Sequence, residues 1–206
     1  MQIYYEDKNI DFPVFIKQFL DEMIRVCNWV ILTPGHPNLY TYIKIREPSY
    51  GIRFWYKPND QTFVSSDPIL IYQDNNNEYE NPMVTSNTDD SEPILIYGKS
   101  REIHHMPYVF KHNMTTIKKT FGFEPIHPCP KEFELWKNII QRAKPVSVLD
   151  PFIGSGTTAQ VCEYFNIPWL GFDIMEQYSV DIDKRIKIGQ KMRKEDISKR
   201  DRKRIF

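Results

Sequence analysis

Apolar residues recur at helical spacing across residues 11–28, where Phe12, Phe15, Ile16, Phe19, Leu20, Met23 and Ile24 share one face. Asp11 is placed to cap this helix, and Pro13 is tolerated in its first turn. Trp29-Val30-Ile31-Leu32-Thr33 then reads as a buried strand stopped by Pro34-Gly35. Ile52 to Lys57 reads as another, ended by Pro58-Asn59-Asp60. Ser66-Asp67-Pro68-Ile69-Leu70-Ile71-Tyr72 recurs as Ser91-Glu92-Pro93-Ile94-Leu95-Ile96-Tyr97. Each copy predicts a short strand, and a local duplication of this kind suits a hairpin. Between them, Asp74 to Asp90 is rich in Asn, Asp, Glu and Ser and carries no Lys or Arg, which predicts a mobile loop at about 73–91.

The second half alternates more regularly. Lys131–Arg142 predicts a helix, Val146–Leu149 a strand, Thr157–Phe165 a helix, Pro168–Phe172 a strand, and Glu176 onward a final helix. Strand, helix, strand at this spacing is a βαβ unit, so the expected class is α/β with a mostly parallel sheet and helices on both faces.

Composition narrows the setting. A chain of 206 residues, 41% of them hydrophobic, suits one globular domain. No apolar run approaches the roughly 20 residues of a membrane helix, and Met1 to Asp7 has no signal-peptide pattern, so no membrane partner is expected. Cys27, Cys129 and Cys162 form no C-x-x-C pair, and His36, His104, His105 and His112 show no ligand spacing. Neither a metal site nor a disulfide framework is expected, and a reducing, cytoplasmic location is. The formal net charge is zero, but from Lys184 onward basic residues outnumber acids by roughly eight, leaving the remainder equally negative. Such a tail can track a phosphate backbone or simply be a solvated terminal helix.

The most informative stretch is Val146-Ser147-Val148-Leu149-Asp150-Pro151-Phe152-Ile153-Gly154-Ser155-Gly156-Thr157-Thr158-Ala159. An apolar strand runs into a glycine turn that opens a helix. Three ligands compete for such a turn. A P-loop needs a lysine after its last glycine, and Gly156 is followed by Thr157. A dinucleotide would set its pyrophosphate on the glycines, where the Asp150 carboxylate repels it. S-adenosylmethionine carries an ammonium and a sulfonium and no phosphate, which suits that carboxylate. A second acid, Asp173, ends the strand Trp169-Leu170-Gly171-Phe172 roughly 20 residues on, where it can accept from both ribose hydroxyls. A dinucleotide site uses the same acid, so Asp173 alone does not discriminate.

Asp150 to Thr158 resembles the Asp-Pro-Phe-x-Gly-Ser-Gly-Thr-Thr cofactor motif of DNA N6-adenine and N4-cytosine methyltransferases. Gly171-Phe172-Asp173-Ile174 with Tyr178 resembles their Gly-x-Glu-Ile…Tyr motif, with Asp for Glu. His127-Pro128-Cys129-Pro130-Lys131 with Leu135 resembles the His-Pro-x-x-Lys-Pro…Leu segment that flanks the methionine end of the cofactor, with Glu132 where proline is common. The cofactor motifs follow the catalytic-half strands, which is the permuted order of the beta group. The resemblance implies a Rossmann-like S-adenosylmethionine-dependent methyltransferase fold. It implies cofactor binding by His127, Asp150, Pro151, Phe152, Gly154, Ser155, Gly156, Thr157, Thr158, Asp173 and Ile174, and DNA as partner. It divides the single domain into a partial catalytic half (1–99), a short target-recognition region (100–126), a cofactor half (127–188) and a basic tail (189–206). In the family a target base is flipped out, and acceptors of an Asp/Asn/Ser-Pro-Pro-aromatic motif hold its amine toward the methyl donor. That motif is expected ahead of the first helix and is not found there. Glu47-Pro48-Ser49-Tyr50 reads as a turn, and no catalytic residue is assigned. A missing N-terminal segment, a complementary subunit or an inactive cofactor-binding partner follows as an expectation.

Overall fold

Asp11 caps the first helix through its Oδ1, which accepts from the Val14 backbone N–H at 3.2 Å. The structure is a computed structural model, and it describes residues 11–34, 36–49, 52–56, 70–71, 74–75, 78–79, 83–84, 91–98, 109–111, 121–128 and 130–204. The chain divides into two compact units, Met1–Asn113 and Met114–Phe206.

In the first unit, α1 (Phe12–Val26) leads into β1 (Trp29–Leu32), α2 (His36–Ile45) and β2 (Ile52–Tyr56). Four two-residue strands follow, β3 (Leu70–Ile71), β4 (Asp74–Asn75), β5 (Glu78–Tyr79) and β6 (Met83–Val84), then β7 (Ser91–Gly98) and β8 (Val109–Lys111). The main sheet has the order β1-β7-β2-β8. Strand β7 runs antiparallel to both β1 and β2, and β2 runs parallel to β8. Ile16 and Leu20 of α1, Val30 of β1, Leu39 and Tyr42 of α2, and Leu95 and Tyr97 of β7 form the buried core.

Three expectations change here. The two near-repeats do not pair as a hairpin among the described residues. Both edges of β7 are already taken by β1 and β2, and β3 pairs antiparallel with β6 instead. The segment expected as a loop, Asp74 to Asp90, carries the β4–β5 pair and β6, which pairs with β3 ahead of it in the first near-repeat, and its other residues lie outside the described ones. Helix α2 was not anticipated: it is short, and its inward side rests on Leu39 and Tyr42, too few positions for a clear periodicity. Glu47 to Ser49 fall in the connection from α2 to β2, while Tyr50 lies outside the described residues. So does most of the expected recognition region 100–126.

The second unit contains α3 (Phe133–Ala143), β9 (Val148–Asp150), α4 (Thr157–Phe165), β10 (Trp169–Gly171), a 3-10 turn (Glu176–Tyr178) and α5 (Ser179–Arg204). Strands β9 and β10 pair in parallel with α4 between them in sequence, which is the expected βαβ unit. Parallel pairing, expected to dominate the fold, is seen at β9–β10 and β2–β8, whereas β7 opposes both its neighbours. Phe133 and Ile140 of α3 pack with Val161 and Cys162 of α4. Among the described residues no helix is long and apolar enough to cross a membrane. None of these residues forms a group of three His, Cys, Asp or Glu placed for a metal.

Candidate functional site

The parallel register places Trp169 opposite Val148 and Gly171 opposite Asp150. Both strands therefore finish at the same end, and the two carboxylates of the sequence pattern emerge there. The pairing continues past the strands: Phe172 N–H donates to the Asp150 carbonyl at 3.0 Å, and Ile153 N–H to the Phe172 carbonyl at 3.0 Å. The chain turns at Gly154 (φ 50°) and Gly156 (φ 81°), both in the left-handed region that disfavours other residues. Gly156 is also the N-cap of α4.

The turn's own amides point to acceptors within the protein. Gly154 N–H donates to Asp173 Oδ2 at 2.9 Å, and Asp173 Oδ1 accepts from Met175 N–H at 2.9 Å. Phe152 N–H donates to Asp150 Oδ1 at 3.1 Å, and Gly156 N–H to the Ile153 carbonyl at 2.8 Å. With the turn amides of Phe152, Ile153, Gly154 and Gly156 engaged, the turn offers an incoming phosphate far less than a dinucleotide loop does. It presents two carboxylates instead. Burial pushes the Asp150 carboxyl above its ordinary range, opposed by hydrogen bonds from the Thr158 hydroxyl and the Phe152 amide. A half-buried carboxylate of this kind gains from a cation. Asp173, though held by two amides, keeps acceptor capacity, since an ionised carboxylate offers about four lone-pair sites.

The other expected residues gather around the same turn. Ser155, Thr157 and Thr158 are buried, with the Ser155 and Thr157 hydroxyl oxygens 3.4 Å apart. Thr157 Oγ1 donates to the Lys131 carbonyl at 3.0 Å, tying the start of α4 to the His127–Lys131 segment. Pro151 is half-buried. Phe152 and Ile174 are apolar yet 46% and 82% exposed, one beside each carboxylate. Exposed apolar side chains flanking a polar turn suit the face of a flat ring. His127 is only 8% exposed. A Cβ on Gly154 would lie 2.8 Å from its Nε2, so the imidazole packs directly on the turn. Its ring centroid is 4.7 Å from that of Tyr178. Burial pulls the His127 pKa below 6.5, against the opposing pull of Asp173 and Asp181.

Asp181 was not singled out from the sequence. It lies in the first turn of α5 and is fully buried. Its Oδ2 accepts from the backbone N–H of Ile126 at 2.6 Å and of His127 at 3.1 Å. The position holding His127 on the glycine turn is thus set by a carboxylate 54 residues away. An acid in the first turn of a helix is an ordinary dipole partner, so nothing local distinguished it.

A parallel strand pair joined by a helix, with a glycine turn, two carboxylates and exposed apolar side chains at its common end, places the second unit in the α/β class. A family model described as DNA methylase, of the N6/N4 type, matches residues 1–184. The chain belongs to the DNA methylase family and is, by family, an S-adenosylmethionine-dependent DNA methyltransferase. No curated protein matches it. The solved M1.HpyAVI–SAM complex is similar at a TM-score of 0.53 and 17% identity, over 86% of this chain and 83% of that one, a likeness of fold. A second structure, of M1.HpyAVI, covers 85% of this chain and 67% of its own, at 20% identity and a TM-score of 0.41.

Proposed function

We propose that this chain binds S-adenosylmethionine at the end of the β9–β10 pair and serves methyl transfer to the exocyclic amine of adenine (N6) or cytosine (N4) in DNA. The observation that carries the proposal is the inward-turned glycine loop: its Phe152 and Gly154 amides are spent on Asp150 and Asp173, leaving acidic acceptors facing the ligand. Asp150 holds the cationic methionine end, Asp173 accepts from the ribose hydroxyls, and Phe152 and Ile174 cover the adenine faces. His127, Pro151, Ser155, Gly156, Thr157 and Thr158 shape and position the turn. When bound, the cofactor supplies an electrophilic methyl group on a sulfonium. The permuted Rossmann-like sheet, the division into catalytic half, recognition region, cofactor half and tail, and a cytoplasmic setting with DNA belong to the same proposal. The acceptors for the target amine are assigned to a Pro-Pro-aromatic motif on a further segment or a complementary subunit.

Tritiated methyl transfer to mixed-sequence duplex and single-stranded DNA tests this, with the chain alone and with an added segment carrying that motif. Turnover that depends on the segment and is lost in Gly156→Val supports the reading. Substituting Gly156 strains a left-handed residue whose Cβ would lie 2.9 Å from the Ile182 Cα. Cofactor binding without turnover in either arm favours an inactive partner subunit, and turnover that survives Gly156→Val removes the loop from the mechanism.

A further inference from the structure

Helix α5 is 26 residues long. Its inward face is marked by the buried residues Asp181, Arg185 and Gly189, each four apart. Met192 and Asp196 continue this stripe and meet Gln160 and Tyr164 of α4. On the other side Lys184, Lys187, Lys191 and Lys194 are all exposed. At about 100° per residue they fall within an arc of about 80°, centred roughly 140° from the buried stripe, along about 15 Å of helix axis.

Among residues 179–201 the other basic side chains lie off this arc. Arg185 is buried and donates to Gln160 Oε1 at 2.8 Å, and Arg193 donates to Asn166. Lys199 is 4.0 Å from Asp196, toward the packed side. Asp183 and Glu195 border the lysine line, Glu195 at 3.9 Å from Lys191. Lys184 Nζ sits 5.1 Å from the centroid of the Phe123 ring, which steadies that end. Four of the eleven basic residues from Lys184 onward thus form a directed ridge.

We infer that this ridge lies along the phosphate backbone of duplex DNA and holds the protein on it without reading sequence. A duplex carries one negative charge per about 1.7 Å of axis, so a length matching the ridge carries about nine phosphates over both strands, of which the four lysines meet those on one side. Lysine, a mobile point charge without a planar fork, suits contacts that position and do not specify. The proposed methyl-transfer role supplies only the choice of duplex DNA among polyanions.

The test is anisotropy of a labelled mixed-sequence duplex with the full chain, between 50 and 200 mM salt and without cofactor. Replacing Lys184, Lys187, Lys191 and Lys194 together by Ala keeps a good helix former at each position, and circular dichroism checks the fold. The slope of log K against log salt flattens by about three to four, so raising the salt weakens wild type about 100-fold more than the variant. The off-ridge double variant Lys199→Ala, Arg200→Ala leaves the slope within one unit of wild type. Equal loss per charge in both variants would mean that overall charge alone acts, and it overturns the ridge. So does absence of duplex binding by wild type at 50 mM salt, or an effect of the ridge variant on phosphatidylserine vesicles and not on DNA. Calorimetry with S-adenosylmethionine separates the two proposals. Absent cofactor binding beside an intact ridge effect removes only the cofactor reading, and intact binding beside a missing ridge effect removes only the ridge.

Discussion

Replacing Asp181 by Ala deletes a side chain that bridges α5 to the backbone of Ile126 and His127. Two amides at 2.6 and 3.1 Å lose a charged acceptor that is itself fully buried, the His127 bond buried and the Ile126 bond part-buried. Hydrogen bonds to charged groups contribute about 1.5–3 kcal/mol each, and each buried amide left without an acceptor costs about 1–3 kcal/mol. The two estimates describe the same loss, so the expected destabilisation is about 3–5 kcal/mol, large for a single substitution. Asp181→Asn keeps one amide oxygen as acceptor and removes the charge, so it should cost about half as much. Urea denaturation followed by circular dichroism gives the stabilities. Because the Ala variant can fall below the limit for folding, the Asn variant carries the functional test. With the His127 segment loosened from Gly154, its calorimetric affinity for S-adenosylmethionine should drop about tenfold, equal to about 1.4 kcal/mol. The His127 ring resonances should also shift in NMR. Stability within 0.5 kcal/mol of wild type for the Ala variant, with unchanged His127 resonances, would refute the clamp.

Three further outcomes follow from the same geometry. Gly189→Ala in a helix would ordinarily stabilise by about 1 kcal/mol; here the new Cβ would lie 2.3 Å from the Gln160 carbonyl oxygen, so thermal unfolding should show a lower melting temperature. The depressed pKa of His127 means the unfolded chain takes its proton first. Stability is therefore full above pH 6.5 and falls as the pH drops toward the folded value, and denaturation curves of His127→Gln should lack that part of the slope. The raised pKa of Asp150 has the opposite sign: its contribution is full below 3.8 and lost as the pH rises through the folded value. Asp150→Asn should consequently stabilise the ligand-free protein at pH 7 while weakening S-adenosylmethionine in calorimetry.

The βαβ unit and its glycine turn were legible because their signals are local: an apolar strand, a left-handed glycine and a helix start follow one another within a dozen residues. The capped first helix was legible for the same reason, Asp11 standing beside the periodic run it serves. The partnership of the two near-repeats was not, because pairing depends on which strand edges are free, and β7 lies between β1 and β2. Within the site, the positions of Asp150 and Asp173 could be read from strand ends. That Asp173 also binds the Gly154 amide could not, nor that Asp181 sets His127 from 54 residues away, since both depend on tertiary approach. Helix α2 escaped because a ten-residue helix resting on Leu39 and Tyr42 gives too short a pattern.

The central claim is that the glycine turn, with its amides committed to Asp150 and Asp173, holds S-adenosylmethionine and not a dinucleotide. Titration calorimetry of the full chain with S-adenosylmethionine and, separately, with NAD tests it most directly, with Asp173→Ala alongside. The expected result is saturable binding of S-adenosylmethionine, none or far weaker binding of NAD, and a loss of roughly 1.5–3 kcal/mol per ribose hydrogen bond in the variant. Tighter binding of NAD, or S-adenosylmethionine binding indifferent to Asp173→Ala, would contradict it.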